Sequence, residues 1–239
     1  MKKNHGLLIV SLILNLLLIG STIFIGVKTG FFRSPGDEED IKEPDPKPRA
    51  DFWCIKGWNN SFLKLGVDFD VVFFGNSITY GSDFRKYFPS VTICNQGYPG
   101  DNMDGMLLRL PAVQSVHPKK VFVMAGINGL SSQTEEVFTE KYEAFAATLC
   151  DSLPNTKIFF QSILPVNNND FGKYICDNQK IKWANTVIKQ IAESHNCEYI
   201  DLFSVLAVND ELPKEISRDG VHILPEAYDR WAEEIRKFM

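Results

Sequence analysis

Ser77 stands in Gly75-Asn76-Ser77-Ile78-Thr79, directly after the apolar run Val67–Phe74. A hydroxyl one turn past a buried strand can stand clear of the sheet and act as a nucleophile; a serine there can equally cap a helix. Far downstream, Asp219-Gly220-Val221-His222 sets a carboxylate three residues before an imidazole. A local turn can bring the carboxylate to one ring nitrogen while the other faces a serine, although an ordinary capped turn has the same spacing. Two glycine-bearing stretches lie between. Asn95-Gln96-Gly97-Tyr98-Pro99-Gly100-Asp101 is rich in turn residues, and a glycine there lets a backbone N–H approach a substrate closely. Gly126-Ile127-Asn128 carries an asparagine of the kind that often bonds to its own loop backbone.

Other reactive side chains form no comparable group. His5 lies in the N-terminal tail, while His117 and His195 fall near helix ends and read as solvated or capping residues. Of the five cysteines, Cys54, Cys94, Cys150, Cys176 and Cys197, none form a C-x-x-C pair, and none have zinc-site spacing with a histidine. Cys94 and Cys150 sit in apolar patterns and read as small buried residues. The odd count argues against a complete disulfide framework; one or two bridges stay open for an exported domain. Net charge is −5 with no basic cluster outside the extreme N-terminus, which argues against nucleic acid as a partner. Nothing calls for a metal or an organic cofactor.

The elements that must position these residues are legible from hydrophobic period. Val67–Phe74, Val91–Asn95, Lys120–Ala125, Lys157–Leu164 and Tyr199–Phe203 read as strands. Met103–Ser115, Thr134–Leu153, Tyr174–His195 and Pro225–Phe238 read as helices, the last with proline at its first turn. Strands alternating with helices predict an α/β fold, with a five-stranded, mainly parallel sheet and helices on both faces. Ligands of such sheets bind beyond the carboxyl ends of the strands. Ser77, the two glycine loops and the Asp219–His222 turn all fall just past strand ends or before the last helix. Tyr80, Phe84, Tyr98 and the loop Asn167–Asp170 are candidates for lining a pocket there, or equally for packing.

The N-terminus is of another kind. Leu7–Val27 is 21 residues without a charge. As a helix it would extend about 31 Å, close to the hydrocarbon thickness of a bilayer. It is longer than the usual apolar core of a cleaved signal, and no clear cleavage site follows, so a single-pass anchor is the expected reading and a cleaved signal the alternative. Lys2 and Lys3 favour a cytoplasmic N-terminus and an extracytoplasmic domain; Lys28 and Arg33 oppose it. Residues 28–50, with four prolines and the run Asp37–Asp40, read as an extended tether. The expected organisation is thus a tail at 1–6, an anchor at 7–27, a linker at 28–50 and one globular domain at 51–239.

Taken together and in order, the four blocks resemble those of the SGNH (GDSL-type) hydrolases, over nearly all of residues 67–239. The Ser77 block resembles the family's GDS-like motif, with Asn76 in place of the commoner Asp. It is not the G-x-S-x-G elbow of α/β-hydrolases, because Thr79 holds the second glycine's place. Asn95–Asp101 resembles the second block, and Gly126–Asn128 the third, where the family usually has Asp at the position of Gly129. The segment Ile163–Val166 is also similar. The resemblance implies a three-layer α/β/α sandwich of flavodoxin-like form. It implies Ser77 as nucleophile, His222 as general base and Asp219 as its partner. The Ser77 and Gly100 N–H groups and the Asn128 amide would form an oxyanion hole, and no cofactor would be needed. The implied activity is that of a serine esterase on acyl esters, short-chain or carbohydrate O-acetyl. A polysaccharide O-acyltransferase using the same triad, and a non-catalytic binding module, are the alternatives.

Overall fold

The computed structural model describes residues 61–239, all within one compact unit, Pro46–Met239. The expected anchor at 7–27, the linker at 28–50 and the first residues of the domain lie outside the described residues. Among the described residues no helix is long and apolar enough to cross a membrane.

Five short strands form the sheet: β1 (Val71–Gly75), β2 (Ile93–Gly97), β3 (Lys120–Met124), β4 (Lys157–Gln161) and β5 (Glu198–Ile200). Their order is β2-β1-β3-β4-β5 and every neighbouring pair is parallel. This is the flavodoxin-like order, whose chain direction switches at β1 and β3. The helices are α1 (Ser77–Tyr80), α2 (Met103–Gln114), α3 (Ile127–Leu130), α4 (Glu135–Ser152), α5 (Asn178–Ser194), α6 (Leu202–Leu206) and α7 (Pro225–Ile235).

The strands are apolar on both faces because both are covered. Val72, Phe74, Val121 and Val123 face a core built with α2, α4 and α5, including Met106, Leu110, Phe145 and Ile188. Val71, Phe73, Phe122 and Phe159 face a second core with α6 and α7, including Leu206, Trp231 and Ile235. Across that second face the rings of Phe84, Phe73, Phe122 and Phe159 stack in sequence, with centroids 3.7, 5.2 and 4.6 Å apart. Phe84 is therefore a buried core residue, the packing alternative of the two the sequence left open, although it also borders the cavity beside Tyr80.

Strand limits differ from the sequence reading for local reasons. β1 begins at Val71, not Val67, because Asp70 binds the Thr92 hydroxyl (2.6 Å) and Lys119 (2.7 Å) at the sheet's lower edge. β4 stops at Gln161 although the chain stays buried to Asn167. Past Ser162, whose N–H still bonds the Ile200 carbonyl, side chains of α5 take over part of its backbone. Asn185 bonds both N–H and C=O of Ile163 (2.7 and 2.9 Å), and Asn178 does the same for Val166 (2.9 and 2.8 Å). β5 is cut short at Ile200 because Asp201 caps α6 through the Ser204 N–H at 3.1 Å. Tyr174 is not in the long helix; it closes a separate 3-10 turn, and α5 starts only after the Asp177 cap.

Candidate active site

β1 ends at Gly75, where a Cβ would lie 2.2 Å from Thr79 Oγ1 and 2.9 Å from the Met124 carbonyl oxygen. Only glycine admits so sharp a turn from strand into α1. Asn76 then caps the helix, its Oδ1 accepting from the Ile78 N–H at 2.9 Å. An amide oxygen serves this role as well as a carboxylate does. Ser77 is the first helical residue, and its Oγ lies 3.0 Å from His222 Nε2.

The His222 ring is held by its own turn. Its Nδ1 lies 2.8 Å from Asp219 Oδ2, while Asp219 Oδ1 accepts from the His222 N–H (2.8 Å) and the Val221 N–H (3.1 Å). Gly220 makes the turn at φ +85, and the Arg218 N–H donates to the His222 carbonyl at 2.8 Å. With Nδ1–H donating to a carboxylate, Nε2 is left to accept from the serine hydroxyl. Burial would raise the Asp219 carboxyl, but the His222 and Val221 N–H groups and the His222 ring outweigh it and hold the carboxyl below its usual range. Its stabilisation of the turn is present above the ordinary carboxylate pKa and lost as pH falls through that lowered value.

The second and third blocks meet beside Ser77. Gly100 has φ +76 and open space where a Cβ would be. The N–H groups of Ser77 and Gly100 have no acceptor among the described residues. Asn128 stands between Gly126 at φ +120 and Gly129 at φ +108, and one hydrogen of its amide goes to the Asp101 carbonyl at 2.8 Å. The second amide hydrogen stays available. Asn95, in turn, donates to the Thr79 and Ser82 carbonyls (2.9 and 2.7 Å) and accepts from Gly97 N–H at 2.8 Å, pinning α1 to β2.

Beneath this cluster lies a residue that the sequence reading passed over. Arg109 of α2 is fully buried and donates through Nε (2.8 Å) and Nη2 (2.6 Å) to Asp101 Oδ2. Its Nη1 reaches the Gln96 carbonyl at 2.9 Å and its Nη2 the Gly75 carbonyl at 3.2 Å. One guanidinium thus joins the ends of β1 and β2 to the residue after Gly100. Burial pushes the Asp101 carboxyl up and the Arg109 guanidinium down, each against its partner's pull. The signal in the sequence was position: Arg109 follows Met106 by three residues and precedes Val113 by four, so it lies on the buried stripe of α2.

The candidate pocket residues divide. Tyr98 packs over Arg109, its ring centroid 5.4 Å from the guanidinium carbon. Tyr80 is 59% exposed and borders a cavity of about 400 Å³ with Phe62, Phe69 and Asn95; the Ser77 and His222 side chains are not in its walls. Asn167 is a buried clamp and not a pocket residue: its N–H donates to the Gly220 carbonyl (2.8 Å) and its Nδ2 to the Leu212 carbonyl (2.8 Å). Gly172 lies against the same turn, since a Cβ there would meet the Gly220 oxygen at 2.6 Å. Phe171 and Tyr174 flank it as exposed rings 6.2 Å apart. Among the described residues no group of His, Cys, Asp and Glu could hold a metal ion. Chemically, the arrangement offers a hydroxyl beside a base, a carboxylate behind that base, and N–H donors without acceptors at Ser77 and on the Gly100 loop.

The model of the family described as GDSL-like lipase/acylhydrolase matches residues 73–230. Among solved structures, a GDSL-like lipase from Bacteroides thetaiotaomicron is 24% identical at TM-score 0.68, covering 79% of this chain and 98% of that one. The lipase/acylhydrolase from Enterococcus faecalis is 20% identical at TM-score 0.60, over 70% of this chain and 93% of its own. An acetylxylan esterase from Geobacillus stearothermophilus, solved as a catalytic mutant, is 19% identical at TM-score 0.57, over 73% and 95%. At these identities the likeness is one of fold. Comparison with curated proteins gives no match.

The Arg109–Asp101 pair makes a direct stability prediction. Arg109→Met strands a buried carboxylate and should lower the unfolding free energy in urea by about 3–5 kcal/mol. Adding Asp101→Asn removes the stranded charge and should recover part of that loss. A single variant as stable as the parent would show that the pair does not hold the loop.

Proposed function

Because the chain belongs to the GDSL-like lipase/acylhydrolase family, whose members are the SGNH hydrolases, we propose that it is a serine esterase working through Ser77, His222 and Asp219. The observation that carries this reading is the continuous path from Ser77 Oγ to His222 Nε2 (3.0 Å) and from His222 Nδ1 to Asp219 Oδ2 (2.8 Å).

A serine hydroxyl is a weak nucleophile until a base within hydrogen-bond reach takes its proton. His222 removes that proton as Ser77 Oγ attacks the ester carbonyl, and Asp219 stabilises the imidazolium that forms. Negative charge builds on the carbonyl oxygen. The open N–H groups of Ser77 and Gly100 and the free amide hydrogen of Asn128 receive it. One such side-chain donor contributes roughly 3–4 kcal/mol to the transition state. His222 then protonates the leaving alkoxide. Water, activated by the same ring, releases the acid from the acyl-enzyme.

The substrate class we assign is the O-acetyl or other short acyl ester of a carbohydrate. Phe171 and Tyr174 support it: two exposed rings beside the His222 turn, 6.2 Å apart and tilted 50° to each other, offer apolar faces against which a sugar ring can pack. The acetylxylan esterase among the fold relatives is compatible with this reading. In the same reading Leu7–Val27 anchors the chain in a membrane and residues 28–50 hold the domain off its outer side.

On p-nitrophenyl acetate, Ser77→Ala should lose turnover while keeping the fold by circular dichroism. Asn128→Ala should lower kcat by about two to three decades. Asp219→Asn should be damaging but less complete than loss of Ser77 or His222. Retained activity in Ser77→Ala, or no labelling of Ser77 by a fluorophosphonate, would rule the mechanism out. The ring pair has its own readout: Phe171→Ala with Tyr174→Ala should raise KM on acetylated oligosaccharides and leave p-nitrophenyl acetate unchanged. Equal effects on both substrates would remove the carbohydrate assignment. For the anchor, the chain should sediment with membranes, resist high-salt wash and be cut by external protease in intact cells; recovery in the soluble fraction would refute it.

A further inference from the structure

Cys150 lies in the last turn of α4 and Cys197 immediately precedes β5, 47 residues apart in sequence. Both are half-buried, and their sulfurs face each other at 3.6 Å. Cys150 is thus not the buried small residue its apolar setting suggested. The other two described cysteines, Cys94 and Cys176, are 5% and 4% exposed. The pair borders a cavity of about 250 Å³ lined also by Leu153, Lys157 and His195, which gives a small reagent access to the sulfurs. All strands are parallel, so the start of β5 is at the opposite end of the sheet from Ser77.

We propose that Cys150 and Cys197 are a disulfide-forming pair, which on oxidation ties the end of α4 to the start of β5. The sulfurs must close from 3.6 Å to about 2.05 Å. The oxidant is a low-molecular-weight disulfide such as oxidised glutathione. Cys197 thiolate attacks one sulfur of that disulfide, breaking its S–S bond and releasing one thiol. Cys150 then gives up its proton and attacks Cys197 Sγ, forming the Cys150–Cys197 bond and expelling the second thiol. The two cysteines lose two electrons and two protons, and the oxidant gains both as two thiols.

The Cys150 sulfur beside it and the charge of His195 both lower the Cys197 thiol, which favours Cys197 as the attacking group, and the step balances equally with the two roles exchanged. The bond would close a loop of dozens of residues, and a covalent closure of that span restricts the unfolded chain substantially. It would act on stability, because it lies away from the Ser77–His222 end of the sheet. It does not rest on the proposed esterase activity.

The test uses the full chain, incubated with reduced or with oxidised glutathione, denatured, and capped with a maleimide. Peptide mass mapping should show the Cys150 and Cys197 peptides linked after oxidation, and all five cysteines capped after reduction. The oxidised chain should melt about 5–10 °C higher than the reduced chain. Cys150→Ser and Cys197→Ser should each abolish the linked peptide and the shift. Full capping after oxidation, a bridge through a different cysteine, or an oxidised chain that melts no higher would each overturn the proposal. The mapping on the unaltered chain decides the bridge even if a serine variant fails to fold.

Discussion

Arg109 carries a positive charge into a position with no exposure, between α2 and the ends of β1 and β2. Removing a guanidinium and a carboxylate from water costs several kcal/mol for each ion, and their attraction offsets that only when the remaining donors also find partners. Here they do. Three of the guanidinium nitrogens bond, to the Asp101 carboxylate, the Gln96 carbonyl and the Gly75 carbonyl. Asp101 is less completely served, since its Oδ1 has no partner. The arrangement therefore contributes little net stability, but it fixes geometry. The Gly75 carbonyl lies two residues before Ser77, and the Asp101 carbonyl receives the Asn128 amide. A shift of the ion pair would move the Ser77 turn and the Gly100 and Asn128 loops.

Two departures from the common family pattern become intelligible against this frame. Asn76 caps α1 with its amide oxygen, so the turn that presents Ser77 is intact without a carboxylate. Gly129 sits at φ +108, a conformation that strains an L side chain, so an Asp there would oppose the local backbone. The Asn128 loop is held from the other direction, by its side-chain bond to Asp101 and by glycine on either side. The Asp219–His222 turn has separate support, because Asn167 and Gly172 pack on the Gly220 carbonyl and Tyr228 ties α7 to the Ile78 carbonyl at 2.6 Å.

Sequence alone determined the α/β alternation, the placement of Ser77, Gly100 and Asn128 past strand ends, and that of the Asp219–His222 turn before the last helix. These are local properties: hydrophobic period, glycine positions and a three-residue spacing need no knowledge of distant partners. Strand limits were less legible. The run Lys157–Leu164 is mostly apolar to its end, and only the α5 amides of Asn185 and Asn178 decide that the chain leaves the ladder from Ile163. Whether Phe84 lines a pocket or packs stayed open in the sequence, because nothing nearby in the chain showed that Phe73 would stack on it.

What tertiary structure alone decided are the pairings across long stretches of chain. Ser77 and His222 are 145 residues apart, and Cys150 and Cys197 are 47 apart. Whether such groups meet depends on strand order and on helix packing, which no local pattern encodes. Arg109 is the sharpest case. The sequence reading passed over this charged residue on a buried helical stripe, and its partners came from β1, β2 and the loop after β2, assembled only by the fold.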